Sequence, residues 1–158
     1  MREIMFRGKD PETGTWYEGF YMALSDTTYC FKEDYDAHPD NTKHYIVFDR
    51  MTDWGIPNQH LRAYVDPSTV GQYTGLKDKN GKRIFEGDIC RNTRTGEIVS
   101  VKWHGTMAGY VWNKRRADGF LFDFGELFRA CDKYEVIGNI HDNPEMLKGG
   151  DSPENRTD

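Results

Sequence analysis

VGQYTGLKDKNGKRIFEGDICR, residues 70–91, is the stretch whose reading decides the expected fold. At its centre, Asp78-Lys79-Asn80-Gly81 carries the residues of a tight reversal in order. Asp78 accepts backbone N–H bonds at the first position of a type I turn, Asn80 tolerates the third, and Gly81 takes the positive φ that follows. A type I turn closed by a left-handed glycine is a standard hairpin connection. Gln72-Tyr73-Thr74 then reads as one arm and Arg83-Ile84-Phe85 as the other. Gly75 inside the first arm predicts a bulge or a close backbone approach. Past the second arm, Glu86-Gly87-Asp88 makes another corner, held by Gly87 and Asp88, and the chain restarts as a strand with Ile89 facing in. Two corners on so short a path bend a sheet sharply, which predicts a small β-barrel.

Upstream, Arg2–Arg7 alternates charged and apolar residues, with Ile4 and Phe6 on one side, as a half-buried strand does. Asp10–Gly14 is a turn, and Trp16–Met22 returns from it. Tyr29-Cys30-Phe31 reads as a short strand, and the acidic run from Glu33 to Lys43, interrupted by Pro39, as an exposed loop. HYIVFDR, His44–Arg50, is apolar enough for a strand buried on both faces. Asp53–Asn58 is irregular, and Leu61–Val65 is a strand that stops at Asp66-Pro67.

Downstream, Asn92–Glu97 turns around Gly96, and Ile98–Trp103 is a strand with Val99 and Val101 on one face. After a Gly-rich reversal come Tyr110–Trp112, a turn over Asn113–Gly119, and a strand at Phe120–Phe122. Phe124–Arg129 has room for one helical turn. Tyr134–His141 closes the domain, and Asn143-Pro144 opens a short helical end with Asn143 as its cap. Many short strands divided by Gly and Asn turns predict a mainly β protein with little helix. The expected division is an N-terminal β region over 1–69, a barrel-like domain over 70–148, and a polar tail over 149–158 that lacks an apolar anchor.

Three separated segments carry a family resemblance: QYTGLKDKNGKRIFEGDIC, YEVIGNIHDNPEML near the far end, and the opening MREIMFRGKD. Taken in chain order, they resemble the YopX family of phage and prophage proteins. Nothing between Phe20 and Val70 matches, so that region reads as a variable insertion. The resemblance implies a small β-rich fold containing a barrel, in a viral accessory protein. It implies no assigned activity and brings no catalytic residues.

Composition bounds the function. The chain has 158 residues, enough for one domain or two very small ones. An aromatic share of 14% against a mean hydropathy of −0.82 points to a core built on rings, which suits strands. A net charge of −5 argues against a protein whose main work is gripping a nucleic-acid backbone. No apolar run is long enough to span a membrane, and no secretory leader stands at Met1. Cys30, Cys90 and Cys131, without a CxxC, suggest neither a disulfide framework nor a zinc ribbon. The expected location is the cytoplasm of the bacterial host, with reduced thiols.

Candidate sites are few. Asp34, Asp36 and Asp40, beside Glu33 and His38, have the alternating carboxylates that wrap a hard cation. The run departs from a calcium-binding loop, because Pro39 stands where the turn glycine belongs and Tyr45 where the bidentate Glu belongs. Lys114-Arg115-Arg116, at an expected hairpin tip beside Trp112, sets cations next to rings, as single-strand binders do. Glu86 and Asp88 are a carboxylate pair of the kind that divides acid and base roles, and for Asp88 bonding backbone N–H groups at the corner is the simpler role. Cys90 and Cys131, with His60, His104 and His141 elsewhere, lack the setting of a nucleophile elbow. No motif calls for a cofactor.

The leading reading is therefore a non-enzymatic accessory module that binds protein or assembles with itself. Two alternatives stand beside it: a nucleic-acid binder using 114–116, and a metal-assisted hydrolase using 33–40. Self-association is expected on two grounds. Nine Phe, nine Tyr and four Trp exceed what a small interior holds. Strands Glu3–Arg7 and Tyr134–His141 are also expected to leave backbone groups unpaired at sheet edges.

Overall fold

The protein is described by a computed structural model covering residues 3–53, 56, 58–116, 119–123 and 131–147. It is mainly β. In chain order the elements are β1 (Phe6–Lys9), β2 (Trp16–Ser25), α1 (Lys32–Ala37), β3 (Thr42–Arg50), β4 (Gln59–Tyr64), β5 (Gly71–Lys77) and β6 (Arg83–Phe85). There follow β7 (Asp88–Asn92), β8 (Ile98–His104), β9 (Gly109–Arg116), β10 (Gly119–Asp123) and β11 (Tyr134–Asn139). Two antiparallel sheets result, ordered β4-β3-β2-β1-β5-β6 and β10-β9-β8-β7-β11. The chain divides into two compact units, Met1–Gln72 and Tyr73–Asp158.

In the first unit, Asp10 makes the opening turn by accepting N–H bonds from Glu12 and Thr13 on Oδ1 at 2.8 and 3.1 Å. β1 and β2 then pair from Phe6↔Gly19 to Lys9↔Trp16. Alternation sorts β2 and β3 into two faces. On the inner one, Tyr17 stacks on Phe48 at 5.2 Å, Phe6 meets Tyr21 at 5.7 Å, and the Tyr21 hydroxyl lies 2.6 Å from His44 Nδ1. Ile46 and Val65 are fully buried. Gly19 permits the closeness of β2 and β3, since a Cβ there would stand 2.1 Å from the Val47 carbonyl oxygen.

In the second unit, the 78–81 turn forms as its residues predict. Gly81 N–H donates to the Asp78 carbonyl at 3.0 Å, Asp78 Oδ1 accepts from Asn80 and Lys82 N–H, and Gly81 has φ +81. The bulge expected at Gly75 is present, for the β5–β6 register slips between Tyr73↔Phe85 and Lys77↔Arg83, and Gly75 has φ +87. Ile84, Cys90, Val99, Val101, Trp112 and Tyr134 form the core, with Trp112 stacked on Tyr134 at 4.5 Å.

The sheets do not close into a barrel. Closure needs the two edge strands of a sheet to find each other in register. The outer edge of β11 is taken instead by the 78–81 turn: Lys79 N–H donates to the Tyr134 carbonyl at 3.0 Å, and Val136 N–H to Asp78 Oδ2 at 3.0 Å. β1 is not an edge either, since β2 and β5 flank it. The edge argument for self-association thus fails at both strands that carried it.

Other local expectations are corrected too. Residues 29–31 form no strand; Phe31 is the extended cap of α1, and Tyr29 packs on Tyr35 and His38. The acidic run is partly helical, because Glu33 and Asp34 sit in the first turn of α1, where carboxylates favour the helix N-terminus. Pro39 then opens a 3₁₀ turn, Pro39–Asn41. β1 begins at Phe6, leaving Ile4 exposed ahead of it. β3 is buried at Ile46 and only half-buried along most of its length, not covered on both faces. β9 runs through Asn113–Arg116, which pair with Gly119–Phe122 of β10, so the expected turn there shrinks. The 3₁₀ turn Pro144–Leu147 opens at Asn143 as expected, with the Asn143 carbonyl accepting Met146 N–H at 3.1 Å, while its carboxamide Oδ1 lies 3.5 Å from Asn139 N. The helical turn expected at Phe124–Arg129 and the tail at 149–158 lie outside the described residues.

Candidate functional site

The outward face of β2, β3 and β4 exposes several large apolar side chains. Cross-strand register builds it in rows. Phe20 pairs with Val47 and Val47 with Arg62; Met22 pairs with Tyr45 and Tyr45 with Tyr64; Leu24 pairs with Lys43. Asp49 and His60 pair at the other end. Phe20 is 67% exposed, and Leu24 and Tyr64 are each 43% exposed. β-branched, aromatic and long aliphatic side chains therefore meet water on a strip several residues long, where isolated exposed apolar residues would carry no meaning.

Polar groups fix the rings on this face. The Arg62 guanidinium lies 4.9 Å from the Tyr45 ring centre, and the Tyr45 and Tyr64 rings meet edge to face at 6.1 Å. Tyr45 donates its hydroxyl to Asp26 Oδ2 at 3.3 Å. Desolvation and then the Asp26 carboxylate hold the Tyr45 phenol above its usual pKa, so the ring stays neutral and a donor. His60 Nδ1 lies 2.6 Å from Asp49 Oδ1, with both side chains largely exposed. An apolar centre with a polar rim is the anatomy of a protein-binding surface.

The residues singled out in the sequence are dispersed. Asp34 and Asp36 lie on α1 and Asp40 in the 3₁₀ turn after it; Asp36 pairs with Lys32 at 2.5 Å. Among the described residues no three His, Cys, Asp or Glu side chains gather around a metal position. Trp112 is fully buried in the second unit's core, and Lys114 is buried with its Nζ 3.5 Å from Glu97 Oε2. Arg115 and Arg116 belong to β9 opposite Phe120 and Gly119. Lys114 is thus committed inward and does not sit at a hairpin tip. Asp88 is buried and accepts Phe85 N–H at 2.7 Å, while Glu86 Oε1 accepts Trp103 N–H at 3.3 Å. Asp88 thus bonds backbone at the corner as expected, and Glu86 bonds backbone as well. Cys90 is buried in the core, Cys131 half-buried and Cys30 exposed. No helix among the described residues is long and apolar enough to cross a membrane.

The outward face itself was missed from sequence, although its signal is visible. Both β2 and β3 carry large apolar residues at odd and even positions. On β3 that pattern predicts burial on both sides, whereas here it marks one buried face and one partly exposed apolar face.

Comparison with known proteins bears on the whole chain. The family described as YopX protein matches residues 5–148. No curated protein matches. The crystal structure of protein EF1440 from Enterococcus faecalis is similar, with a TM-score of 0.52 at 22% identity, covering 93% of this chain and 99% of that one. At that identity the likeness speaks for the fold alone.

Proposed function

The chain belongs to the YopX family, and on that premise we propose that it is a non-enzymatic phage or prophage accessory module that binds protein. It works in the cytoplasm of the bacterial host, through the outward face of β2, β3 and β4. The observation that supports this reading is the row structure of that face: Phe20, Val47, Met22, Tyr45, Tyr64 and Leu24 in contiguous register, with Arg62, Lys43 and Asp49 around them. Large exposed apolar surface is costly in water unless something covers it part of the time, at about 25 cal/mol per Å².

The test is covalent capture in the cell. A photoreactive phenylalanine analogue replaces Phe20, and a second protein carries it at Thr95, in an exposed turn of the other unit. Irradiated cells are expected to yield discrete adducts from position 20 and none from position 95. A protein that stays at the mass of one chain with the probe at 20 removes this reading.

A further inference from the structure

We propose that the partner on this face is a second copy of the chain, packed sheet on sheet about a two-fold axis that runs across the strands. The inference rests on the protein-binding reading above and adds the identity and orientation of what binds. Its ground is the placement of charge. Along β3 the outward residues run Lys43, Tyr45, Val47, Asp49, so the strand is cationic at one end, apolar in the middle and anionic at the other. Lys43 is half-buried beside Leu24, and Asp49 is exposed, with its Oδ1 against His60.

Two copies facing each other have two simple alignments. A two-fold axis along the strands lays Lys43 over the second copy's Lys43, and Asp49 over its Asp49. Like charges so juxtaposed disfavour the pairing. An axis across the strands reverses one sheet against the other. Lys43 of each copy then meets Asp49 of the other, making the charge pair twice, as an isologous contact must. The central rows agree with this choice, while Glu18, outward on β2 at the Asp49 end, then lies over Leu24 of the second copy. Centring the axis between the Phe20–Val47 and Met22–Tyr45 rows places Phe20 over Met22, Val47 over Tyr45 and Arg62 over Tyr64. The apolar side chains interdigitate, and Arg62 gains a second ring, by the same cation–π contact it already makes with Tyr45. Aligned sheet packing of this type is the ordinary way to bury two half-apolar faces.

The experiment has three arms, all on the full chain. In the first, dissociation of the parent protein is measured by sedimentation across a range of concentrations; a dimer is expected, and one chain mass throughout overturns the proposal. In the second, Lys43→Glu and Asp49→Lys are each expected to weaken the dimer by about tenfold or more, and the double variant to recover it. Circular dichroism verifies that each variant is folded, and failure of the double variant to recover overturns the pairing. In the third, Lys43→Cys and Asp49→Cys proteins, each also carrying Cys30→Ser, are oxidised separately and mixed. Disulfide dimers are expected only from the mixture. A 43–43 or 49–49 link made as readily overturns the axis. If position 20 captures a protein of another mass while the parent is monomeric, the protein-binding reading survives and the self-pairing does not.

Discussion

Asp78 ties three backbone amides, from two separate segments, to one buried carboxylate. Its Oδ1 accepts from Asn80 and Lys82 N–H inside the turn, and its Oδ2 accepts from Val136 N–H, 58 positions further along. The first pair was legible in the sequence, because Asp, Asn and Gly at these spacings state a local chemistry. The third bond was not, because nothing near Asp78 or Val136 marks their meeting. Asp78→Ala is expected to lower stability by about 2–3 kcal/mol, read from the denaturant midpoint, because it removes three hydrogen bonds to a buried carboxylate at once. Gly81→Val is expected to cost about 1–2 kcal/mol by the same measurement, since its φ of +81 is one that a β-branched residue resists. Tyr134 supplies a pH dependence. Burial first, and the Glu97 carboxylate after it, push its phenol above the ordinary value of 10.0, while Asn92 and Lys114 work against the shift. A phenol that holds its proton longer when folded contributes nothing to stability below the unfolded pKa. It loses the protein stability as pH rises from about 10. Base-induced unfolding, followed by circular dichroism, is therefore expected to set in at higher pH in Tyr134→Phe than in the parent.

At the scale of elements, the hairpins were the readable part. The turns at 10–14, 78–81 and 92–97 were all placed from their Asp, Asn and Gly residues, and each has a side-chain oxygen accepting backbone N–H bonds. Misreadings fell where tertiary contacts override local chemistry. Lys114 looked like a turn residue, yet its stem lies in the core because its charge meets Glu97 across the sheet. The helix α1 was hidden by an acidic composition that also suits a loop. The status of β11 shows how an element can be protected without a partner strand. Its outer edge is closed by two bonds from a turn, reinforced by Lys79 Nζ at 3.1 Å from Glu135 Oε2. Arg91, then Lys79, hold the Glu135 carboxyl below its usual range. If that docking is what shields β11, Asp78→Ala should speed hydrogen exchange at the Val136 amide far more than at Cys90, inside the β7–β8 pair. Equal acceleration at both would mean that the turn stabilises the unit as a whole and not the edge in particular.

At the scale of the whole molecule, strand content was legible and closure was not. Alternation and turn residues specify that strands form, but which edges meet depends on contacts between segments far apart in the chain. The expectation of self-association had been drawn from the aromatic excess and from sheet edges. The edges are covered, while the rings are exposed in an ordered strip. If that strip pairs two copies, folding and association are linked, and stability must depend on concentration. Unfolding of a dimer to two chains releases one extra particle, so each tenfold rise in concentration stabilises the dimer by about 1.4 kcal/mol, half of it per chain. For a chain of this length that corresponds to a rise in Tm of about 2 °C for each tenfold concentration. Phe20→Asp places a charge at the centre of the contact and leaves the inner face untouched, since Phe20 lies opposite to Tyr21 on β2. Its Tm is expected to be flat across the same range. A parent protein whose Tm is also flat, with reversible unfolding, would show that the strip stays uncovered by a second copy and that its partner is a different protein.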